Sequence, residues 1–195
     1  MREMISMIVV LTVLTAVSGG LLASVKSGTQ EKIEYQIFTY QLAPAMNEIF
    51  GEVANNPAEE KFEIVGKDGI AYKFFPAKLQ DGSTAVAFET KGKGGYGGDV
   101  GLMVGINLDT DKIVQVRVTT HSETPGLGAK AKDDPEFVSQ FSGLPVDTNM
   151  GLTKEGGVIN AMSGASITSK AVTLAATQAQ DIYKKLKPKM LTHIK

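Results

Sequence analysis

The stretch Val100 to His121 reads VGLMVGINLDTDKIVQVRVTTH. Two apolar runs, Val100–Leu108 and Ile113–His121, flank the polar spacer Asp109-Thr110-Asp111-Lys112. That spacing predicts an antiparallel strand pair joined by a tight connection. Moving toward the amino terminus, Thr84–Thr90, Ile70–Phe75 and Lys61–Val65 read as three further strands, separated by clusters of Gly, Asp and Lys. Toward the carboxyl terminus the period changes. Asp134 to Phe141 carries Phe137, Val138 and Phe141 at helical spacing. From Ser169 onward Val172, Ala175, Ala176, Ala179, Ile182, Tyr183 and Leu186 form one apolar stripe, with Pro188 expected to end the helix. Strands followed by helices, without βαβ alternation, predict an α+β fold: an antiparallel sheet with flanking helices.

The amino terminus is of another kind. From Met4 to Val25 no side chain is charged. Such a helix is roughly 33 Å long against a hydrocarbon core of about 30 Å, so the segment is expected to be a transmembrane anchor. A cleaved signal peptide, with Ala16-Val17-Ser18 as the cleavage region, is the competing reading; the apolar run continues past it through Leu21, Leu22 and Val25. Between anchor and strands, apolar residues on both sides of Pro44 suggest two short helices meeting at the proline, and Gly51 to Glu60 reads as a linker. The expected organisation is a transmembrane anchor over 1–29, a helical connector over 30–60 and a folded domain over 61–195.

Composition narrows the chemistry. With 20 basic and 21 acidic side chains among 195 residues, the chain has no field to hold a nucleic acid. It contains no Cys and two His, which excludes thiolate metal centres, disulfides, a cysteine nucleophile and a histidine-rich metal site. No metal ligand set and no catalytic residue is assigned. Function must rest on hydroxyls, glycines, carboxylates or a bound cofactor.

Three stretches stand out. In TKGKGGYGGDVG, Gly92 to Gly97 satisfies the dinucleotide pattern G-x-G-x-x-G, but a strand follows where that fold needs a helix. The alternatives are a plain loop or a close backbone approach to a flat ligand beside Tyr96. In HSETPGLG, after a strong strand, Thr124-Pro125-Gly126 is a rigid turn. His121 and Glu123 alone are too little for an acid/base pair or a metal site. In NAMSGASITSK, hydroxyls crowd around Gly164 just before the long helix, where free amides and the helix dipole favour an anion; an ordinary cap by Ser166 or Thr168 is the simpler reading. Serine-nucleophile motifs fail, since Lys170 lies four residues beyond Ser166 rather than three, and Ser163 lacks the glycine of G-x-S-x-G.

Taken together and in this order, GGYGG, HSETPGLG and NAMSGASITS behind one hydrophobic segment resemble the G subunits of Rnf ion-translocating electron-transport complexes. Their FMN-binding domain is shared with the C subunits of sodium-pumping NADH:quinone reductases. The resemblance implies a covalent FMN, joined through its phosphate to the hydroxyl that ends the Ser/Thr-Gly-Ala-Thr/Ser motif, here Ser166. Ser163, Gly164, Ala165 and Thr168 surround the attachment, and Glu123, Thr124, Gly126, Leu127 and Gly128 contact the flavin, with Tyr96 nearby. Ser166 stands where the family more often has threonine, and Asn160 where the motif usually opens with aspartate. The resemblance also implies an electron-relay subunit without activity of its own, in a complex moving electrons between ferredoxin and NAD while transporting sodium ions or protons. Its expected partners are the other Rnf membrane subunits, including a second covalent-flavin subunit and the membrane-core subunits, a flavin transferase during maturation, and lipid. It would lie in the cytoplasmic membrane as a single-pass protein, flavin domain outside. The rival readings are the C subunit of the quinone reductase and an exported binding module without cofactor.

Overall fold

The five apolar runs pair as neighbours in sequence order. In the computed structural model, which describes residues 1–194, β1 (Phe62–Val65), β2 (Ala71–Lys78), β3 (Thr84–Gly92), β4 (Val100–Asn107) and β5 (Lys112–Thr120) form one antiparallel sheet in the order β1-β2-β3-β4-β5. The register runs Phe62↔Phe74, Phe74↔Phe88, Phe88↔Val104 and Val104↔Val116, so aromatic and branched side chains line one face in cross-strand rows. The chain divides into two units, Met1–Tyr40 and Gln41–Lys195.

The middle of the sheet is buried on both faces. On one lies α5 (Ser166–His193), whose Ala171, Ala175, Ala176 and Ala179 are fully buried against Val86, Phe88, Leu102 and Val104. Small residues on the helix let its backbone approach closely. Thr90 Oγ1 donates to the Ala175 carbonyl at 3.0 Å, and Gly92 lies directly beneath the Ala171 carbonyl. On the opposite face α2 (Ala43–Phe50) places Ile49 and Phe50 over Gly105, and its Glu48 accepts from Arg117 of β5 at 2.6 Å. That is why β4 reads as a continuous apolar run: it is buried on both sides.

Ahead of the first residue of β1, past the Phe62–Phe74 pair, the edge of β2 is occupied by the linker. Asn55 Nδ2 donates to the Pro76 carbonyl at 3.0 Å, Asn55 Oδ1 accepts from Lys78 N at 2.9 Å, and Ala54 N donates to the Lys78 carbonyl.

Three local expectations are corrected. The break near Pro44 is not at the proline: α1 (Arg2–Ile37) leads into a π turn at Phe38–Leu42, and Pro44 stands in the first turn of α2. Proline brings no N–H for the carbonyl four residues back, and the wider turn absorbs the interrupted ladder. Pro188 does not end α5, which continues to His193 because Met190 is fully buried and the His193 ring stacks on Phe62 at 5.0 Å. Nor does a side chain cap α5, which begins at Ser166 behind Ala165. The expected short helix is α4 (Pro135–Ser139), capped by the Asp134 carboxylate on Glu136 N, and a further turn of helix, α3 (Lys130–Asp133), precedes it.

The β4–β5 turn ties α5 to the sheet. Asp111, at φ +55°, accepts from the Tyr183 hydroxyl and from Lys187 Nζ. These partners, Lys187 foremost, hold its carboxyl below the ordinary carboxylate range, while burial and the same contact push the Tyr183 hydroxyl up. A depressed folded pKa contributes stability that is complete above the unfolded value of 3.8 and is lost as pH falls through the folded one. Asp111→Asn tolerates the left-handed backbone and is expected to cost about 0.5–1 kcal/mol at pH 7, discounted for exposure of the pair. Urea unfolding of the detergent-solubilised chain should show that difference shrinking below about pH 4.

Candidate functional site

Three segments far apart in sequence converge at one end of the sheet. The β3–β4 connection carries Tyr96, the turn after β5 carries Glu123 to Gly128, and the approach to α5 carries Asn160 to Ser169. They enclose an open cleft of about 550 Å³ lined by Tyr96, Glu123, Thr124, Leu127, Gly128, Gly164, Ala165, Ser166, Ile167 and Thr168. Of the residues singled out from sequence, Gly126 and Ser163 stand outside that lining. Ile167 lies within it and was not anticipated. Its signal was its position, an apolar residue between two hydroxyls at the start of a helix whose buried stripe begins later.

Glu123 holds the cleft together. It is 6% exposed; Oε1 accepts from Gly97 N at 3.0 Å and Oε2 from the Thr168 hydroxyl at 2.6 Å. One carboxylate thus joins all three segments. The glycines around it are there for space: a Cβ on Gly128 would stand 2.5 Å from Oε2, one on Gly95 2.5 Å from Oε1, and one on Gly97 1.9 Å from the Ser122 carbonyl. His121 turns Nδ1 to the Glu123 amide at 3.2 Å and is not among the lining residues.

The hydroxyls around Gly164 divide into two sets. Ser169, fully buried, accepts from Met162 N and donates to the Ala165 carbonyl, both at 2.9 Å, and so staples the turn to the first coil of α5. Thr168 is spent on Glu123. Ser163 and Ser166 are exposed, and neither hydroxyl takes part in the bonds that hold the turn among the described residues. Of these two, Ser166 lines the cleft. It opens α5, where the amides of Ser166, Ile167 and Thr168 have no acceptor within the helix. The turn is also held from behind, since Gln140 Oε1 accepts from Asn160 N at 2.8 Å, and its Nε2 donates to the Asn160 carbonyl at 3.3 Å. Lys170, a candidate counter-charge at the helix start, pairs instead with Glu155.

The walls suit a flat aromatic ligand that bears an anion. Tyr96, Leu127 and Ile167 are 75%, 48% and 53% exposed and form an apolar rim, and the positive end of a 28-residue helix lies beside it. Among the described residues no cluster of His, Asp and Glu is arranged for a metal ion.

Comparison with known proteins fits this geometry. Residues 95–181 match the family described as FMN-binding domain, which spans all three segments of the cleft. The G subunit of the ion-translocating oxidoreductase complex of Methanosarcina acetivorans is 34% identical over 92% of this chain and 94% of its own length. That of Salmonella typhi is 30% identical over 95% and 93%. Among solved structures, the C subunit of the Na(+)-translocating NADH-quinone reductase from Parabacteroides distasonis is similar with a TM-score of 0.50 at 25% identity, covering 60% of this chain and 63% of that one. NqrC of Shewanella oneidensis shares the fold at a TM-score of 0.51 and 22% identity, over 72% of both. With relatives this similar over nearly its whole length, the chain belongs to the family of G subunits of the ion-translocating oxidoreductase (Rnf) complexes, and it carries that family's FMN-binding domain.

Proposed function

We propose that the chain is a membrane-anchored electron-relay subunit that holds FMN by a phosphoester to Ser166. The observation that carries this reading is the sorting of hydroxyls at the start of α5: Thr168 and Ser169 are consumed by the fold, Ser163 stands outside the cleft lining, and Ser166 is exposed and lines it. FMN, when bound, supplies one-electron transfer. Everything else falls to the chain. The unpaired amides and dipole at the start of α5 stabilise the remaining phosphodiester charge, Tyr96, Leu127 and Ile167 offer apolar surface to the ring, and the covalent bond keeps the cofactor from diffusing away in either redox state.

The relay works within an Rnf-type complex that couples electron transfer between ferredoxin and NAD to sodium or proton transport. Its partners there are a second covalent-flavin subunit and the membrane-core subunits, with a flavin transferase needed for maturation. The apolar helix α1 is long enough to cross a bilayer, which supports an anchor; in this reading the flavin domain faces the outer side of the cytoplasmic membrane. Protein isolated from its native host should give a band that fluoresces on an ultraviolet-illuminated denaturing gel, and peptide mapping should find one FMN, less water, on the peptide that holds Ser166. An unmodified Ser166 in native material overturns the covalent assignment.

A further inference from the structure

Glu123 is the one carboxylate among the residues that line the cleft. It cannot turn away, since both its oxygens are engaged, by Gly97 N–H and by the Thr168 hydroxyl, and Gly95 and Gly128 are packed against it. The Gly97 N–H donates to one oxygen and the Thr168 hydroxyl bonds the other, so both carboxylate oxygens are held. At 6% exposure its charge is poorly screened by solvent. Among the described residues no Lys or Arg lines the cleft, and Lys170, in the first turn of α5, is paired with Glu155.

Resting on the flavin reading above, we propose that Glu123 is a tuning residue: its fixed negative charge beside the ring opposes the arrival of an electron and holds the potential of the bound FMN low. The latch and the charge are separable because glutamine can keep the first without the second. In Glu123→Gln the amide oxygen accepts from Gly97 N–H and the amide nitrogen donates to Thr168 Oγ1, whose own hydrogen rotates to a carbonyl of the preceding turn. In Thr168→Val the charge stays but loses a donor, so the carboxylate acts more strongly on the ring, whereas Thr168→Ser keeps the hydroxyl.

The test is a spectroelectrochemical titration of the flavin in full-length protein from the native host, after its flavin content has been measured. The Glu123→Gln potential should move positive, equivalent to a roughly tenfold or greater gain in the equilibrium constant for adding the first electron. The Thr168→Val potential should move in the opposite direction, and Thr168→Ser should match wild type. A flavin-loaded Glu123→Gln protein with an unmoved potential overturns the tuning role and leaves the relay intact. If Glu123→Gln does not load, the sign of the Thr168→Val shift decides. Failure of both to load beside a loaded wild type reduces Glu123 to a latch and overturns the charge assignment. Wild type without flavin at Ser166 is the separate failure of the functional reading itself.

Discussion

Ser166→Ala is expected to abolish covalent flavin, taking the native-host protein from one FMN per chain to none, while leaving the fold in place. The expectation rests on the division of labour at the start of α5. Ser166 is exposed and takes no part in the bonds that hold its turn, so its removal should change stability by no more than about 0.5 kcal/mol. Ser166→Thr keeps a hydroxyl at the same position and should remain flavinylated. Ser163→Ala, three residues away and outside the cleft lining, should retain its flavin as well. In-gel fluorescence with intact mass separates these outcomes. A flavin that persists in Ser166→Ala would move the attachment elsewhere, and one lost in Ser163→Ala would mean that the transferase reads more of the motif than its acceptor.

The second large effect concerns stability. Gly92 ends β3 against α5, and a Cβ built there stands 1.8 Å from the Ala171 carbonyl oxygen and 2.6 Å from its carbon. Both are helix backbone, which has no rotamer with which to yield. Gly92→Ala must therefore lift α5 from the sheet, at the contact where Thr90 bonds the Ala175 carbonyl and Ala171, Ala175 and Ala179 are buried. The cost should be at the upper end of overpacking, about 3 kcal/mol or more. The same substitution at Gly82, with φ +83° and open space around its Cβ, should cost only about 1 kcal/mol of backbone strain. Denaturant midpoints of the two variants, compared with wild type, check both. Because α5 also carries Ser166 and Thr168, Gly92→Ala should load flavin poorly despite an intact attachment motif.

How much of this was legible beforehand depended on the range of the forces involved. The strands are local runs of apolar and branched residues between turn signals, and the stripe of α5 repeats over several turns, so each was readable in place. The cleft was readable only as three isolated motifs. The carboxylate that joins them acts between residues 26 and 45 positions apart, and nothing in a linear string marks such a contact. Ile167 and the Gln140 clamp on Asn160 went unseen for the same reason, since each acquires its role from what stands opposite. Pro188 misled in the other direction. Local rules stop a helix at proline, but burial of Met190 and the Phe62–His193 stack outweigh one lost hydrogen bond and carry α5 onward.

Asn55 has a bearing on solubility. A peptide group and an asparagine amide offer the same donor and acceptor, so one side chain bonded to Pro76 O and Lys78 N imitates a continuation of β1 along β2. Strand addition from a neighbouring molecule needs those two backbone groups free, and here they are already taken. Blocking that site is a safeguard against polymerisation through open sheet edges.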